Sequence, residues 1–224
     1  MILFDIDGTL VWGGPAKDAF QMAMVDTFGT HGDVEGVSFA GKTDPQIVRE
    51  LLHREGVADD DIDGALPDLW MRYLARLESM LPGRPMRVLA GVTALLDALE
   101  ATEEAVLGLV TGNIVGGARL KLGSVGLFHR FAVGAFASDH ECRNELPGIA
   151  LERARQTLGM EFTPDQAVIV GDTPKDVACG RHGGTRTVAV ATGHHGVEEL
   201  RRTGADHVLP DLSDTRRVMA ALLA

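Results

Sequence analysis

Two aspartates, at positions 5 and 7, are the residues of this 224-residue chain whose type and spacing most clearly suggest chemistry. They follow the apolar run Ile2-Leu3-Phe4, which is typical of a buried strand. In an extended chain, side chains two residues apart point the same way, with Cα atoms roughly 6–7 Å apart. Two such carboxylates repel each other unless a proton or a hard cation such as Mg²⁺ intervenes. Asp5 could then act as a nucleophile, and Asp7 could donate and accept a proton.

Two other apolar runs also end in residues that could do chemistry. Residues 105–110 lead into Thr111-Gly112-Asn113, and residues 167–170 lead into Gly171-Asp172. Ligands of open parallel sheets bind beyond the carboxyl ends of the strands, so the sequence predicts that Asp5, Thr111 and Asp172 converge. A hydroxyl and neighbouring backbone N–H groups at a helix N-terminus suit a bound anion.

The elements that must position these residues alternate along the chain. The runs 2–4, 105–110, 167–170 and 187–190 are nearly continuous in apolar residues, as expected of strands with both sheet faces covered. Helical patterns fill the gaps over residues 91–102, 114–125, 147–159, 174–183, 196–203 and 214–223. This alternation predicts an α/β fold with a doubly wound parallel sheet.

Residues 15–88 interrupt the alternation. Their apolar residues recur at helical spacing, and no clear strand is expected there. Asp44-Pro45 reads as a helix start, with the carboxylate as N-cap and proline at the first helical position. Gly13-Gly14-Pro15 and residues 82–85 read as connections at the two ends of this segment. We therefore predict a core of residues 1–14 and 89–224 and an inserted all-helical domain of residues 15–88.

Composition limits the possible partners. Apolar residues make up 45% of the chain, charged residues make up 24%, and the formal net charge is −11. This field repels nucleic acid and anionic lipid, and no apolar stretch approaches the ~18–20 residues that span a bilayer. We expect neither nucleic acid nor membrane as a partner. Cys142 and Cys179 suit a reducing cytoplasm as free thiols, so a cytoplasmic location is expected.

The segment Asp5-Ile6-Asp7-Gly8-Thr9-Leu10 resembles the first signature of the haloacid dehalogenase superfamily. Its phosphoglycolate phosphatase and β-phosphoglucomutase-like members have a Rossmann-like core and a helical cap, which residues 15–88 would form. The resemblance implies that Asp5 is the nucleophile and Asp7 the general acid and base. Thr111 matches the second signature, in which a hydroxyl binds the transferring phosphoryl group, and the backbone of Gly112 and Asn113 would assist it.

The fourth signature resembles Asp172-Thr173-Pro174-Lys175-Asp176. The resemblance implies that Asp172 ligates Mg²⁺ and that Asp176 supports the ion directly or through water. It further implies Asp5 and the backbone carbonyl of Asp7 as ligands. In the cap, Lys42 lies in a segment similar to a recurring family segment and is a candidate substrate contact.

The third signature is the point at which this chain departs from the family. A lysine is expected there, but residues 139–151 contain none, and Asn144 occupies the matching position. The neighbouring Arg143 is the candidate replacement, because a guanidinium binds phosphate in a bidentate manner and stays charged.

The sequence therefore predicts a magnesium-dependent phosphatase that hydrolyses a small phosphorylated metabolite through an aspartyl phosphate on Asp5. A sugar phosphomutase on the same scaffold and a catalytically weak regulatory or binding member remain alternatives. Asp7 and Asp172 count against a metal-free dehalogenase. Residues 36–43 match the P-loop pattern of nucleotide-binding proteins, but polar, glycine-rich residues stand where that loop requires a preceding apolar strand.

Overall fold

Parallel strands form the centre of the computed structural model, which describes residues 1–102 and 105–223. The strands in this part of the chain are β1 (Ile2–Phe4), β2 (Val11–Gly13), β3 (Met86–Val88), β4 (Leu107–Thr111), β5 (Val133–Phe136), β6 (Val168–Gly171), β7 (Arg186–Val190) and β8 (His207–Leu209). Six of them form a sheet of order β5-β4-β1-β6-β7-β8, in which each described pairing is parallel.

Strand β1 lies in the middle of this sheet because its residues are apolar on both faces. Phe4 pairs in register with Leu109 of β4 on one side and with Val170 of β6 on the other. Ile2 and Phe4 pack into one hydrophobic cluster, and Leu3 packs into a second. The near-continuous apolar pattern thus reflects a sheet with both faces covered.

Helices occupy the connections. They are α1 (Ala16–Phe28), α2 (Asp44–Arg54), α3 (Asp59–Met80), α4 (Val92–Glu100), α5 (Val115–Gly123), α6 (Leu146–Leu158), α7 (Pro174–His182), α8 (Val197–Arg201) and α9 (Thr215–Leu223). The six helices predicted after residue 90 each match one of these within two residues at either end. The predicted doubly wound α/β fold is confirmed. No helix in the described ranges is both long and apolar enough to cross a membrane.

Helices α1, α2 and α3 fill the segment between β2 and β3. Phe20 of α1 meets Tyr73 of α3 edge to face, with ring centroids 5.9 Å apart. The expectation that residues 15–88 hold no strand is wrong for β3, which pairs antiparallel with β2. Strands of three residues carry almost no periodicity, and their pairing joins residues more than 70 positions apart in sequence. The division into a core of 1–14 and 89–224 and a cap of 15–88 stays a prediction.

The start of α2 also differs from the expectation. Thr43, not Asp44, is the N-cap: its hydroxyl accepts the Gln46 N–H at 3.4 Å, and the Gln46 side chain accepts the Thr43 N–H at 3.3 Å. This reciprocal capping box satisfies two helix-end donors. It leaves the Asp44 carboxylate available to another part of the molecule.

Candidate active site

Three neighbouring strands bring the predicted residues together at one edge of the sheet. Asp5 directly follows β1, Thr111 is the last residue of β4, and Asp172 directly follows β6. Because β4, β1 and β6 are adjacent, their carboxyl ends meet. All three side chains belong to buried residues. The convergence predicted from the sequence is therefore present in the structure.

Arg143 lies against Asp5 from a short 3₁₀ helix, Arg143–Glu145, that directly precedes α6. Its Nη2 is 3.0 Å from Asp5 Oδ1, and the same nitrogen forms an ion pair with Asp176 Oδ1. Asn144, which occupies the position of the family lysine in sequence, is not the residue that reaches Asp5 in the described contacts. Arg143 Nε is buried and has no hydrogen-bond partner within the described residues, so part of the cost of burying this guanidinium is left uncompensated.

Asp172 faces Asp5 from the next strand. The Thr9 hydroxyl donates to its Oδ1 at 3.3 Å. The backbone of Gly8 and of Gly193 approaches so closely that a Cβ at either position would overlap the Asp172 carboxylate. Gly8 also has φ of +86°, which favours glycine. The absence of a side chain at Gly8 and Gly193 thus leaves the space that the Asp172 carboxylate occupies.

Asp176 also has a structural role, beyond the metal-supporting role that the resemblance implies. Its Oδ2 accepts the Thr173 N–H at 3.0 Å and the Thr173 hydroxyl at 2.7 Å, which caps α7. Its Oδ1 is paired with Arg143. Both oxygens therefore already have protein donors, and this arrangement favours support of a metal ion through neighbouring groups over direct ligation.

The buried carboxylates form a group that could hold a metal ion. One oxygen from each of Asp5, Asp172 and Asp176 lies within 4.8 Å of the others. Burial, opposed by Arg143, raises the pKa of Asp5 to about 6, and burial together with Asp5 and Asp176 raises the pKa of Asp172 to about 8. When all three carboxylates are ionised, one guanidinium leaves two negative charges unbalanced, and a divalent cation would neutralise them. The hard oxygen donors suit Mg²⁺.

Asp7 lies at the mouth of this group, and 45% of its side chain is exposed. Its Oδ2 accepts hydrogen bonds from Asn113 Nδ2 at 2.8 Å and from Lys121 Nζ at 2.6 Å. Asn113 Nδ2 also lies 2.9 Å from the Thr111 hydroxyl oxygen. Asn113 therefore joins Asp7 to Thr111 through its side chain, whereas the sequence predicted a role only for its backbone.

Comparison with known proteins places this site in a family. The sequence profile of the HAD-hydrolase-like family matches residues 147–215. A phosphoglycolate phosphatase from Rhodospirillum rubrum is 30% identical over 216 residues, which cover 95% of this chain and 87% of that protein. The chain belongs to the haloacid dehalogenase-like hydrolases.

Other relatives of this hydrolase agree with that placement. An N-acetylmuramic acid 6-phosphate phosphatase from Pseudomonas putida is 28% identical over 99% of this chain and 96% of that protein. A solved structure of a predicted phosphatase from Clostridium acetobutylicum shares the fold with a TM-score of 0.72 and 18% identity, over 98% of this chain and 97% of that one. The predicted enzyme class, a phosphoric monoester hydrolase of this family, is confirmed.

Lys121 is the site residue of this hydrolase that the sequence reasoning missed. It is 5% exposed and lies on the face of α5 that also buries Gly117, Ala118 and Leu122. Burial alone would lower its pKa, but the carboxylate of Asp7 raises the pKa of Lys121 above its ordinary value, so the ammonium stays charged. The available signal was a lysine at a position where helical periodicity expects an apolar residue.

A cavity of about 540 Å³ opens over the site, between the strand ends and the helical segment. Asp5, Asp7, Lys121 and Arg143 line its floor, and Phe20 and Phe39 contribute to its wall. Lys42 also lines it, but its ammonium forms an ion pair with Glu50 of α2. A role for Lys42 in substrate binding stays a prediction and would require competition with that carboxylate.

The helical segment contacts the strand-end loop of this hydrolase directly. The Asp44 N–H donates to the Gly112 carbonyl at 2.7 Å, and the Ile114 N–H donates to the Asp44 carboxylate at 2.8 Å. A Cβ on Gly112 would overlap the Lys42 carbonyl. The loop that follows Thr111 is therefore enclosed by residues 42–44. No strand is described immediately before residues 36–43, where a P-loop would need one.

Proposed function

We propose that this hydrolase is a magnesium-dependent phosphatase that acts on a small phosphorylated metabolite through an aspartyl phosphate on Asp5. The observation that carries the proposal is the environment of Asp5. Its carboxylate lies at the end of the central strand, 3.0 Å from Arg143 and within metal-sharing distance of Asp172. A nucleophile, a cation and a group of metal-binding oxygens thus face one cavity.

In the first half of the proposed reaction, Arg143 and the Thr111 hydroxyl hold the phosphoryl oxygens and align phosphorus with Asp5. An oxygen of Asp5 attacks phosphorus while the bond from phosphorus to the leaving oxygen breaks. Asp7 gives its proton to that leaving oxygen. A bound Mg²⁺ would neutralise charge on the phosphoryl oxygens, held by Asp5, Asp172 and the Asp7 backbone carbonyl, with Asp176 in support.

In the second half, a water molecule attacks the phosphorus of the aspartyl phosphate. Asp7, now a carboxylate, accepts a proton from that water. The bond between phosphorus and the Asp5 oxygen breaks, and inorganic phosphate leaves. Because each half uses the same side chains in the same positions, the chemistry depends mostly on positioning and on placed charge.

The substrate class follows from the cavity and the relatives together. A volume of about 540 Å³ accommodates a phosphorylated sugar or a smaller hydroxy-acid phosphate. Relatives are named for N-acetylmuramic acid 6-phosphate, for phosphoglycolate and for pyrophosphate. These three compounds form the first substrate panel. A cytoplasmic location is part of the same proposal.

The test is release of phosphate from an aryl phosphate with and without Mg²⁺, in the wild type and in Asp5→Asn. We expect Mg²⁺-dependent turnover that the variant lacks, with its fold preserved. Asp206→Asn is the matched control, because the Asp206 carboxylate accepts hydrogen bonds from Thr187 near the amino end of β7. Substantial activity in Asp5→Asn would refute the covalent mechanism.

The same experiments address the alternatives. A phosphomutase would convert one sugar phosphate into its isomer and release little inorganic phosphate. A regulatory binding protein would bind the panel compounds without turnover. That alternative was motivated by the missing lysine, and the ion pair between Arg143 and Asp5 weakens it because a cation does stand beside the nucleophile.

A further inference from the structure

Lys121 is a buried lysine whose position is explained neither by the family signatures nor by packing. Its Nζ lies 2.6 Å from Asp7 Oδ2 and 2.6 Å from Asn113 Oδ1. Lysine is almost never fully buried without a partner, because removing an ammonium from water is costly. A methionine or leucine would fill the same place on α5 at no such cost. The charge therefore points to a role at Asp7.

Asp7 needs such a partner because it is the least enclosed carboxylate of the site. Both of its described hydrogen bonds, from Asn113 and from Lys121, end on Oδ2. Within the described residues, Asp7 Oδ1 accepts none. Two donors, Asn113 Nδ2 and Lys121 Nζ, thus occupy Oδ2. The side chain is thus held by one oxygen while the other is available to a ligand.

The helical segment holds Lys121 in place. A Cβ on Gly116 would lie 2.6 Å from Leu74 of α3, and a Cβ on Gly117 would lie 3.5 Å from the Tyr73 hydroxyl, so α5 packs directly on α3. The Ile114 N–H, just before α5, donates to Asp44 of α2. The lysine stem is consequently enclosed between α5 and the helices above it, which limits its motion.

We propose that Lys121 is a positioning residue that holds the Asp7 carboxylate through Oδ2 so that Oδ1 meets the leaving oxygen of the substrate. The inference rests on the proposed phosphatase function. Loss of the hydrogen bond from Lys121 would misplace the Asp7 carboxyl group and would leave the positions of Asp5, Arg143 and the phosphoryl group unchanged. The defect should therefore depend on how much the leaving group needs a proton.

The experiment compares Lys121→Met with the wild type on an alkyl phosphate and on p-nitrophenyl phosphate. An alkoxide leaves poorly without a proton, whereas a nitrophenolate leaves readily. We expect kcat on the alkyl ester to fall about 100-fold, as for a reacting group misplaced by about 1 Å, with KM changed less than about threefold. On the nitrophenyl ester, formation of the aspartyl phosphate should stay fast. Its hydrolysis should slow, because the water attack also uses Asp7, and a burst of nitrophenolate should appear.

Lys175→Met is the matched control, since Lys175 is an exposed lysine on α7 beside the site. It removes the same charge and should preserve the ratio of the two activities. Lys121→Gln keeps a hydrogen-bond donor and should show a smaller selectivity change, which keeps the test informative if the methionine variant folds poorly. Equal losses in the rate of aspartyl phosphate formation from the two esters, or a change in KM alone, would overturn the role of Lys121 while leaving the phosphatase proposal intact. No turnover by the wild type on any ester would overturn the phosphatase proposal itself.

Discussion

Arg143 is the single cation among the buried carboxylates of Asp5, Asp172 and Asp176 in the described structure. A guanidinium suits this place because one Nη reaches two carboxylates at once. Removing one partner of a buried ion pair leaves the other charge uncompensated, which typically costs about 3–5 kcal/mol. At this scale the residue compensates two buried carboxylates, and under the proposed function it also binds the phosphoryl group.

We predict that Arg143→Met lowers the free energy of unfolding by about 3 kcal/mol in metal-free buffer and abolishes turnover, because it strands buried charge and removes a phosphoryl ligand. Urea unfolding measures the first effect and phosphate release the second. Arg155→Met is the control: it breaks an exposed pair with Glu152 and should change stability by less than about 0.5 kcal/mol. Similar losses in the two variants would contradict the prediction.

Gly193 gives a steric test of the metal site. A Cβ there would overlap the Asp172 carboxylate, although the backbone does not require glycine by its φ angle. We predict that Gly193→Ala displaces this carboxylate and raises the Mg²⁺ concentration for half-maximal activity at least about tenfold, as losses around metal ligands do. Gly196→Ala places its Cβ where no atom lies within 4 Å and should leave the Mg²⁺ requirement unchanged.

At the scale of elements, the contribution of Asp44, at the start of α2, to the free energy of unfolding depends on pH. Burial, opposed by Lys121, raises the pKa of Asp44 from its ordinary 3.8 to about 6. The folded protein therefore binds this proton more tightly than the unfolded chain does. The stability that Asp44 contributes is present below about pH 4 and is lost as the pH rises through about 6.

We predict that the free energy of unfolding of Asp44→Asn, relative to that of the wild type, rises by roughly 1 kcal/mol between pH 4 and pH 7. The reason is that an amide has no charge to bury and keeps an acceptor for the Ile114 N–H. The gain is smaller than the pKa difference alone implies, since Asp44 is partly exposed. Urea unfolding across this pH range measures it. In Asp206, burial opposes the shift but hydrogen bonds from Thr187 lower the pKa, so its contribution is lost only as the pH falls below about 4, and Asp206→Asn should show no comparable gain between pH 5 and pH 7.

Some strands of the sheet are predictable from the sequence, and others are not. Strands β1, β4, β6 and β7 were predictable because their residues are mostly apolar and lead into polar or turn residues. Strands β5 and β8 lie at the two edges of the sheet; Gly134 interrupts β5, and β8 has three residues that begin with the exposed His207. Their place is set by neighbouring strands more than by their own pattern.

The residues of the candidate site also include some that the sequence predicts and one, Lys121, that it does not. Asp5, Thr111 and Asp172 follow predictable strands, so topology alone brings them together. Lys121 meets Asp7 across 114 positions of sequence, and an isolated lysine on a helix ordinarily reads as a solvated side chain. Its apolar position in the helical period is a weak signal, and the contact with Asp7 is what identifies its role at the site.

For the whole molecule, the net charge of −11 opposes any anionic substrate, so attraction must be local. We predict that Mg²⁺ at about 100 times its dissociation constant raises the free energy of unfolding by about 2.7 kcal/mol, because the ion binds the folded state and compensates its buried carboxylates. Thermal unfolding with Mg²⁺, against NaCl at matched ionic strength, measures this. Asp172→Asn should lose the Mg²⁺ effect, and an undiminished shift would remove Asp172 from the metal site.

The central place of β1 has a consequence for how the protein is made. Leu3 pairs with Gly108 and with Ile169, so this strand leaves the ribosome more than a hundred residues before either neighbour. At ordinary translation speeds the delay is on the order of ten seconds, during which three apolar residues have no sheet to join. Non-local parallel pairing of this kind folds slowly and exposes the chain to aggregation. The yield of active protein should therefore follow chaperone supply and synthesis rate more closely than the stability of the finished fold.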